Sequence, residues 1–389
     1  MKNIDTIIEA LKIDDLKSLI DSLDNTINVE DANIRLSIHI RNDCEDKKKT
    51  SQVELIPEDG LTLLHAAAFY GALNCFVYLH TTKNANLRLP SSHSFIPLHY
   101  SCWSGSTEVS LYILTQDPSE ASISVQGGTS IQLLFCAVQG GDPEVLQTLF
   151  DNEASLSHTF NDKKKLINKA IGLRNISLLR IIYDNSQNTK DSSLCAKAIS
   201  DHNIEALKML YNGKQDILFK KPDGSTDSLV RLICTVDRDR KYKSMLLQIL
   251  EDAEDLDLEP PGLVGEGLVH FACEYGDLDV AKKLSNMNSF KVNRLDNLNR
   301  SGPYKFVFKR TKNSKEVVDI LQLLIDKGFQ IDGIGQNCPS LLDSFVGGIE
   351  KKYDAIECLL KNGASVDVKY SRDSTGKLTL YDYVMKCDD

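Results

Sequence analysis

No stretch of the chain stays apolar for the roughly 18 residues that a membrane-spanning helix needs, so no membrane insertion is expected. There is no basic excess either. The formal net charge is −10 and the pI is near 5.4, which argues against general nucleic-acid binding, a task that wants a basic surface. No two of the ten cysteines stand in a C-x-x-C; the nearest pair, Cys338 and Cys358, is 20 residues apart, which leaves no local zinc site. The opening MKNIDTIIEALKID carries acids inside its apolar run and does not read as a signal peptide, so the N-x-S sequences at Asn175 and Asn299 carry no weight. The cysteines then read as reduced thiols in a cytoplasmic protein. A phosphate-cradling G-x-x-x-x-G-K-[ST], a G-x-S-x-G elbow and an H-E-x-x-H pair are all absent, and Gly262 to Gly267 lacks dinucleotide-binding spacing. The expectation is a protein that is not an enzyme, with no catalytic residue, cofactor or metal.

One sentence of residues recurs instead. Asp59 to Leu79 reads DGLTLLHAAAFYGALNCFVYL, with a turn pair, Thr62, a first helix carrying Leu64, His65, Ala67 and Ala68, a break at Gly71 and a second helix. It returns as FIPLHYSCWSGSTEVSLYIL from Phe95 to Leu114 and as GLVHFACEYGDLDVAKKL from Gly267 to Leu284. His99 follows His65 by 34 residues, a period that points to a helical solenoid. The pattern resembles the ankyrin repeat, also in the tails LLIDKGFQID (323–332) and LLKNGASVDV (359–368). Physical reasoning agrees with the resemblance. Thr62 is placed to cap the first helix with its hydroxyl. Gly71, Gly105 and Gly276 stand where the chain turns left-handed. The small residues Ala67, Ala68, Ala272 and Cys273 let neighbouring helices approach, and Cys102 and Cys136 fall on equivalent positions as small buried fillers.

Along the chain, Ile4 to Leu23 reads as two amphipathic helices, a worn unit suited to an N-terminal cap. Ile34, Leu36, Ile38 and Ile40 alternate with polar residues as in a half-buried strand, which with Val53 and Leu55 makes a possible β-hairpin finger tipped by Lys47, Lys48 and Lys49. Repeats follow at 59–90 and 94–124. A third unit has Phe135 at the histidine position, and two sister units cover 166–184 and 194–212. Pro222-Asp223-Gly224 marks a turn, and the acidic Glu251 to Glu259 a pliable joint. A degenerate unit has Phe306 near the histidine position, and TGKLTLYDYVMK (375–386) should cap the C-terminal end. The expected fold is all-α: an ankyrin-like helical repeat solenoid with short β-hairpin fingers and about ten to eleven repeats. The cap helices and possible finger occupy 1–57, the solenoid 58–376 and a capping helix 377–389.

His65, His99 and His270 share one repeat position and read as structural bridges between hairpins rather than as general bases, since no nucleophile partners them. The resemblance implies that the pair of residues before the helix-breaking glycine faces a concave groove. Phe69, Tyr70, Trp103, Glu274 and Tyr275 are therefore the candidate protein-binding residues, with acids at Glu58, Asp59 and Glu274 along the rim. Aromatic clusters of this kind make binding hot spots. The function so implied is a monomeric scaffold or adaptor that holds a segment of a protein partner in its groove. The alternatives are a substrate-recruiting subunit of a larger assembly and an enzyme with a concealed site in 215–265 or 300–340, which would require a pocket of partnered titratable groups there.

Overall fold

The computed structural model describes residues 2–24, 61–91, 94–122, 130–152, 154, 160–186, 191–253, 256, 258, 265–308, 314–333, 340–346 and 352–365. The expected finger at 33–57, the rim acids Glu58 and Asp59, four of the nine residues of the acidic joint, the glycine-rich 262–264 and the C-terminal piece at 375–386 lie outside them. The chain divides into two compact units, residues 1–190 and 191–389, a division that falls inside the stretch 58–376.

The first unit is built of helix pairs. In chain order they are α1 (Lys2–Lys12) with α2 (Leu16–Asp24), α3 (Leu63–Tyr70) with α4 (Leu73–Thr81), α5 (Pro97–Ser104) with α6 (Thr107–Gln116), α7 (Ser130–Gly140) with α8 (Pro143–Asp151), and α9 (Phe160–Leu173) with α10 (Ile176–Asn185). The first helices pack in the order α1, α3, α5, α7, α9, and the second helices in the order α2, α4, α6, α8, α10. The core between the two rows is apolar. Leu64, Phe76, Leu79, Leu98, Ile113, Leu134 and Leu146 are buried, each stabilising by about 1.5–3 kcal/mol relative to exposure. Ala66, Ala67 and Ala68 are also buried, which is what lets α3 lie close to α5. Gly140 does the same for α7: a Cβ there would stand 2.0 Å from the carbonyl oxygen of Cys102 on α5.

The second unit repeats the scheme with α11 (Ser192–Ser200) and α12 (Ile204–Leu210), α13 (Leu229–Val236) and α14 (Lys243–Asp252), α15 (Leu268–Tyr275) and α16 (Leu278–Ser285), α17 (Lys305–Phe308) and α18 (Ser314–Asp326), and α19 (Leu341–Val346) and α20 (Tyr353–Lys361). Between α12 and α13 runs an antiparallel hairpin, β1 (Leu218–Lys220) with β2 (Thr226–Ser228), closed at Pro222-Asp223-Gly224 with Gly224 at φ +82°. A single bridge, Leu295 to Ser301, closes a second finger. With twenty α-helices and one two-stranded sheet among the described residues, the fold is all-α.

One backbone device joins the helices within eight of these pairs. A residue in the left-handed region stands between them: Asp14, Gly71, Gly105, Gly141, Arg174, His202, Arg240 and Gly276, with φ between +51° and +88°. From Gly71 onward these residues follow one another at intervals of 34, 36, 33, 28, 38 and 36 residues. At Gly71 the turn also recovers carbonyls from the helix end, since Ala72 N–H donates to Ala67 O at 3.0 Å. The turns then reach the next pair. The Asp14 carboxylate accepts from the N–H groups of Asn74 and Cys75, capping α4 from the neighbouring turn, and Asn175 Nδ2 donates to Gly141 O. The pair α1/α2 packs on α3 and α4.

Candidate functional site

The histidines settle first. His65 Nδ1 accepts the N–H of Thr62 at 3.1 Å, and its Nε2 lies 3.1 Å from Phe95 O, 30 residues on. His270 makes the same two bonds, from Gly267 N–H at 3.1 Å and to Arg300 O at 3.0 Å, again 30 residues on. Each imidazole thus ties the start of one helix pair to the finger of the next. Thr62 is the N-cap of α3, and its hydroxyl sits 2.8 Å from Nδ1 of His65, which completes a capping box with it. His99 is 4% exposed and stacks on Phe95 with centroids 5.0 Å apart; its Nδ1 makes no hydrogen bond. Burial, with His65 nearby, pushes its pKa down to about 3. Burial likewise lowers that of His270. Both rings are neutral at pH 7, and neither holds a nucleophile.

The buried thiols are equally quiet. Cys75, Cys102, Cys136, Cys195, Cys234, Cys273 and Cys358 are free and buried, and burial pushes Cys102 up to about 12. Burial raises the thiols of Cys75, Cys136, Cys195 and Cys358 as well, so these four and Cys102 are protonated packing residues. Among the described residues no three His, Cys, Asp or Glu side chains are grouped to hold a metal ion, and no helix is long and apolar enough to cross a membrane.

The face before the left-handed turns differs between the units. In the first unit the helices α3, α5 and α7 contain no Asp, Glu, Lys or Arg at all. Tyr70, Trp103, Ser104, Gln139 and Gly140 are half-buried at the C-terminal ends of these helices. Phe69 departs from expectation. It is 7% exposed, with its ring edge-on to Tyr70 at 5.4 Å. Phe69 therefore backs Tyr70 rather than presenting a surface of its own.

In the second unit the two sequence candidates are engaged within the fold. Tyr275 is 3% exposed, and its hydroxyl donates to Asp237 Oδ2 at 2.9 Å. The same carboxylate accepts the N–H groups of Lys241 and Tyr242, so it organises the turn between α13 and α14, and Tyr275 is a pin of that turn rather than a binding aromatic. Glu274 is half-buried and pairs with Lys305 at 3.1 Å; Lys305 also contacts Glu266. Nearby charges are matched in the same way. Burial raises the pKa of Asp227, but hydrogen bonds from Arg231 and the Ser228 N–H outweigh it and hold the carboxyl below the ordinary range. Arg240 bridges Glu316 at 2.8 Å and donates to Gly276 O at 2.7 Å. These groups of 215–265 and 300–340 are used by the fold.

Helix α9 differs in charge from the first helices α3, α5 and α7. It carries Lys163, Lys164, Lys165 and Lys169 against one aspartate, Asp162. The run DKKKLINK breaks the charge-free pattern of α3, α5 and α7. No protein-family model matches the chain, and comparison with curated proteins likewise finds no match.

Proposed function

We propose that this chain is an ankyrin-like repeat protein that serves as a protein–protein adaptor, holding a segment of a partner against the face formed by the first helices of residues 61–174. The observation that carries the reading is the pairing of a charge-free helical face with two half-buried aromatic rings, Tyr70 and Trp103, on a scaffold of matched helix pairs. Large rings held by a rigid framework lose little freedom on binding and desolvate readily. The repeat reading is supported by the two histidine bridges of identical span and by the eight left-handed turns. About ten helix-pair units, a monomeric state and a reducing, cytoplasmic setting complete the proposal; the buried free thiols are in keeping with the last.

The test is capture of partners from a native lysate by wild type and by the variant Tyr70→Ser/Trp103→Ser, with circular dichroism to show that both fold. A partner held by wild type and released by the variant, then rebound in purified form with at least a tenfold affinity difference, supports the adaptor reading. A partner held equally by both places recognition off this face.

A further inference from the structure

The same face also offers the chemistry that a peptide main chain would meet, an inference that rests on the adaptor reading. Trp103 stands two residues before the left-handed Gly105, and Gln139 two residues before the left-handed Gly141. They hold one register position on α5 and α7, which pack on each other within the first unit. The C-terminal ends of these two helices meet backbone to backbone. A Cβ on Gly140 would lie 2.0 Å from Cys102 O and 2.9 Å from Gly105 N, and one on Gly105 would lie 2.8 Å from Gly140 O. Side chains of equal register on two helices joined in this way leave the pair on the same side. Trp103 and Gln139 are both half-buried. Neither the indole N–H of Trp103 nor the carboxamide of Gln139 has a hydrogen-bond partner among the described residues. The next register position is low. Ser104 turns its hydroxyl back to Ser101 O at 3.2 Å, and Gly140 has no side chain.

We propose that Trp103 and Gln139 read the main chain of an extended, uncharged peptide segment. The indole N–H donates to one carbonyl, and the Gln139 carboxamide pairs with the N–H and C=O of a single residue. A ligand that covers these two groups strips them of water, so it must return an acceptor to the indole and both kinds of partner to the carboxamide. An extended peptide has such groups free. A docked helix does not, because its own N–H and C=O groups are bonded internally. An ionised side chain would lose hydration here with no counter-charge in α3, α5 or α7 to replace it. The low position at Ser104 and Gly140 lets a strand lie close to the helix ends. Proline is excluded opposite Gln139, since it has no N–H to give. Packed helices sit about 8–10 Å apart, and an extended chain covers that distance in about two or three residues at about 3.3 Å each. The carbonyl taken by Trp103 thus belongs to a residue about two or three places from the one paired with Gln139.

Random dodecapeptides displayed on phage and selected on the full chain supply the probes. Synthetic copies of the winners are titrated against the emission of Trp103, the one tryptophan of the chain. Each backbone N–H of a winner is then replaced in turn by N-methyl. One replacement is expected to weaken binding to wild type at least fivefold, about the worth of one hydrogen bond. The variant Gln139→Met, similar in length and checked for an unchanged urea midpoint, is expected to bind the unmodified peptide at least fivefold less tightly. It should also be indifferent, within twofold, to that same N-methyl group. Winners that shift Trp103 emission yet tolerate every N-methyl group, or bind Gln139→Met as well as wild type, overturn the proposal and leave the adaptor reading standing. A loss that persists undiminished in Gln139→Met marks a steric clash and overturns it too. If no peptide shifts Trp103 emission, both fall.

Discussion

Acidification should unfold the first unit through His99, and the size of the effect follows from its surroundings. The ring is buried, its Nδ1 has no hydrogen-bond partner, and its pKa falls to about 3 from an ordinary 6.5. Above pH 6.5 neither the folded nor the unfolded chain holds a proton on this ring, and its contribution to stability is complete. Between 6.5 and about 3 the unfolded chain takes up a proton that the folded one refuses, so stability falls with pH by about 1.4 kcal/mol per unit. From pH 7 to pH 4.5 the loss amounts to about 3 kcal/mol, which corresponds to a urea midpoint lower by about 1–3 M. The chain has one tryptophan, Trp103, four residues from His99 on the same helix, so its emission reports this unit. The assay is urea titration of wild type and His99→Gln at both pH values. The variant should lose about 3 kcal/mol less than wild type over that interval, since carboxylates and other histidines titrate alike in both proteins. Equal losses in the two proteins, within about 1 kcal/mol, would refute the argument that a neutral ring is trapped there.

Two further outcomes are expected. Gly140→Ala should destabilise by about 1–3 kcal/mol in the same urea assay, because the new methyl would stand 2.0 Å from Cys102 O and 2.9 Å from Gly105 N and would push α7 off α5; an unchanged midpoint would contradict that close approach. His202→Gly should stabilise by about 0.5–1 kcal/mol, because His202 is an exposed residue at φ +54° whose Cβ is strained there, and circular dichroism during denaturation would read the gain in the second unit.

The helix pairs were legible because their signals are local. Gly71, Gly105 and Gly276 mark left-handed turns by being glycine, and all three adopt φ +72° to +75°. Arg174, His202 and Arg240 make the same turn with side chains that carry no such mark; Arg240 supports its turn by donating to Gly276 O, a partner 36 residues away. The bridging role of His65 and His270 was legible from recurrence, whereas the stacking of His99 on Phe95 was not, since it depends on how two rings pack rather than on a shared repeat position. Of the candidate binding residues, Tyr70 and Trp103 are half-buried near the C-terminal ends of α3 and α5. Phe69 and Tyr275 were misjudged because residue type says nothing of which way an aromatic next to a turn rotates; Tyr275 is drawn inward by Asp237, 38 residues earlier in the chain. The charge-free character of α3, α5 and α7 could be read directly from their sequences.

The intervals between left-handed turns range from 28 to 38 residues, so the turn recurs in this chain without a fixed period. Helix length and connection length both vary between the pairs, and loop closure costs little per added residue. The finger between Leu295 and Ser301 carries Leu298 at its tip, 62% exposed. Such a tip is a natural port for grafting: an epitope, a fluorophore or a whole folded insert can be carried there while the helix pairs on either side keep their register.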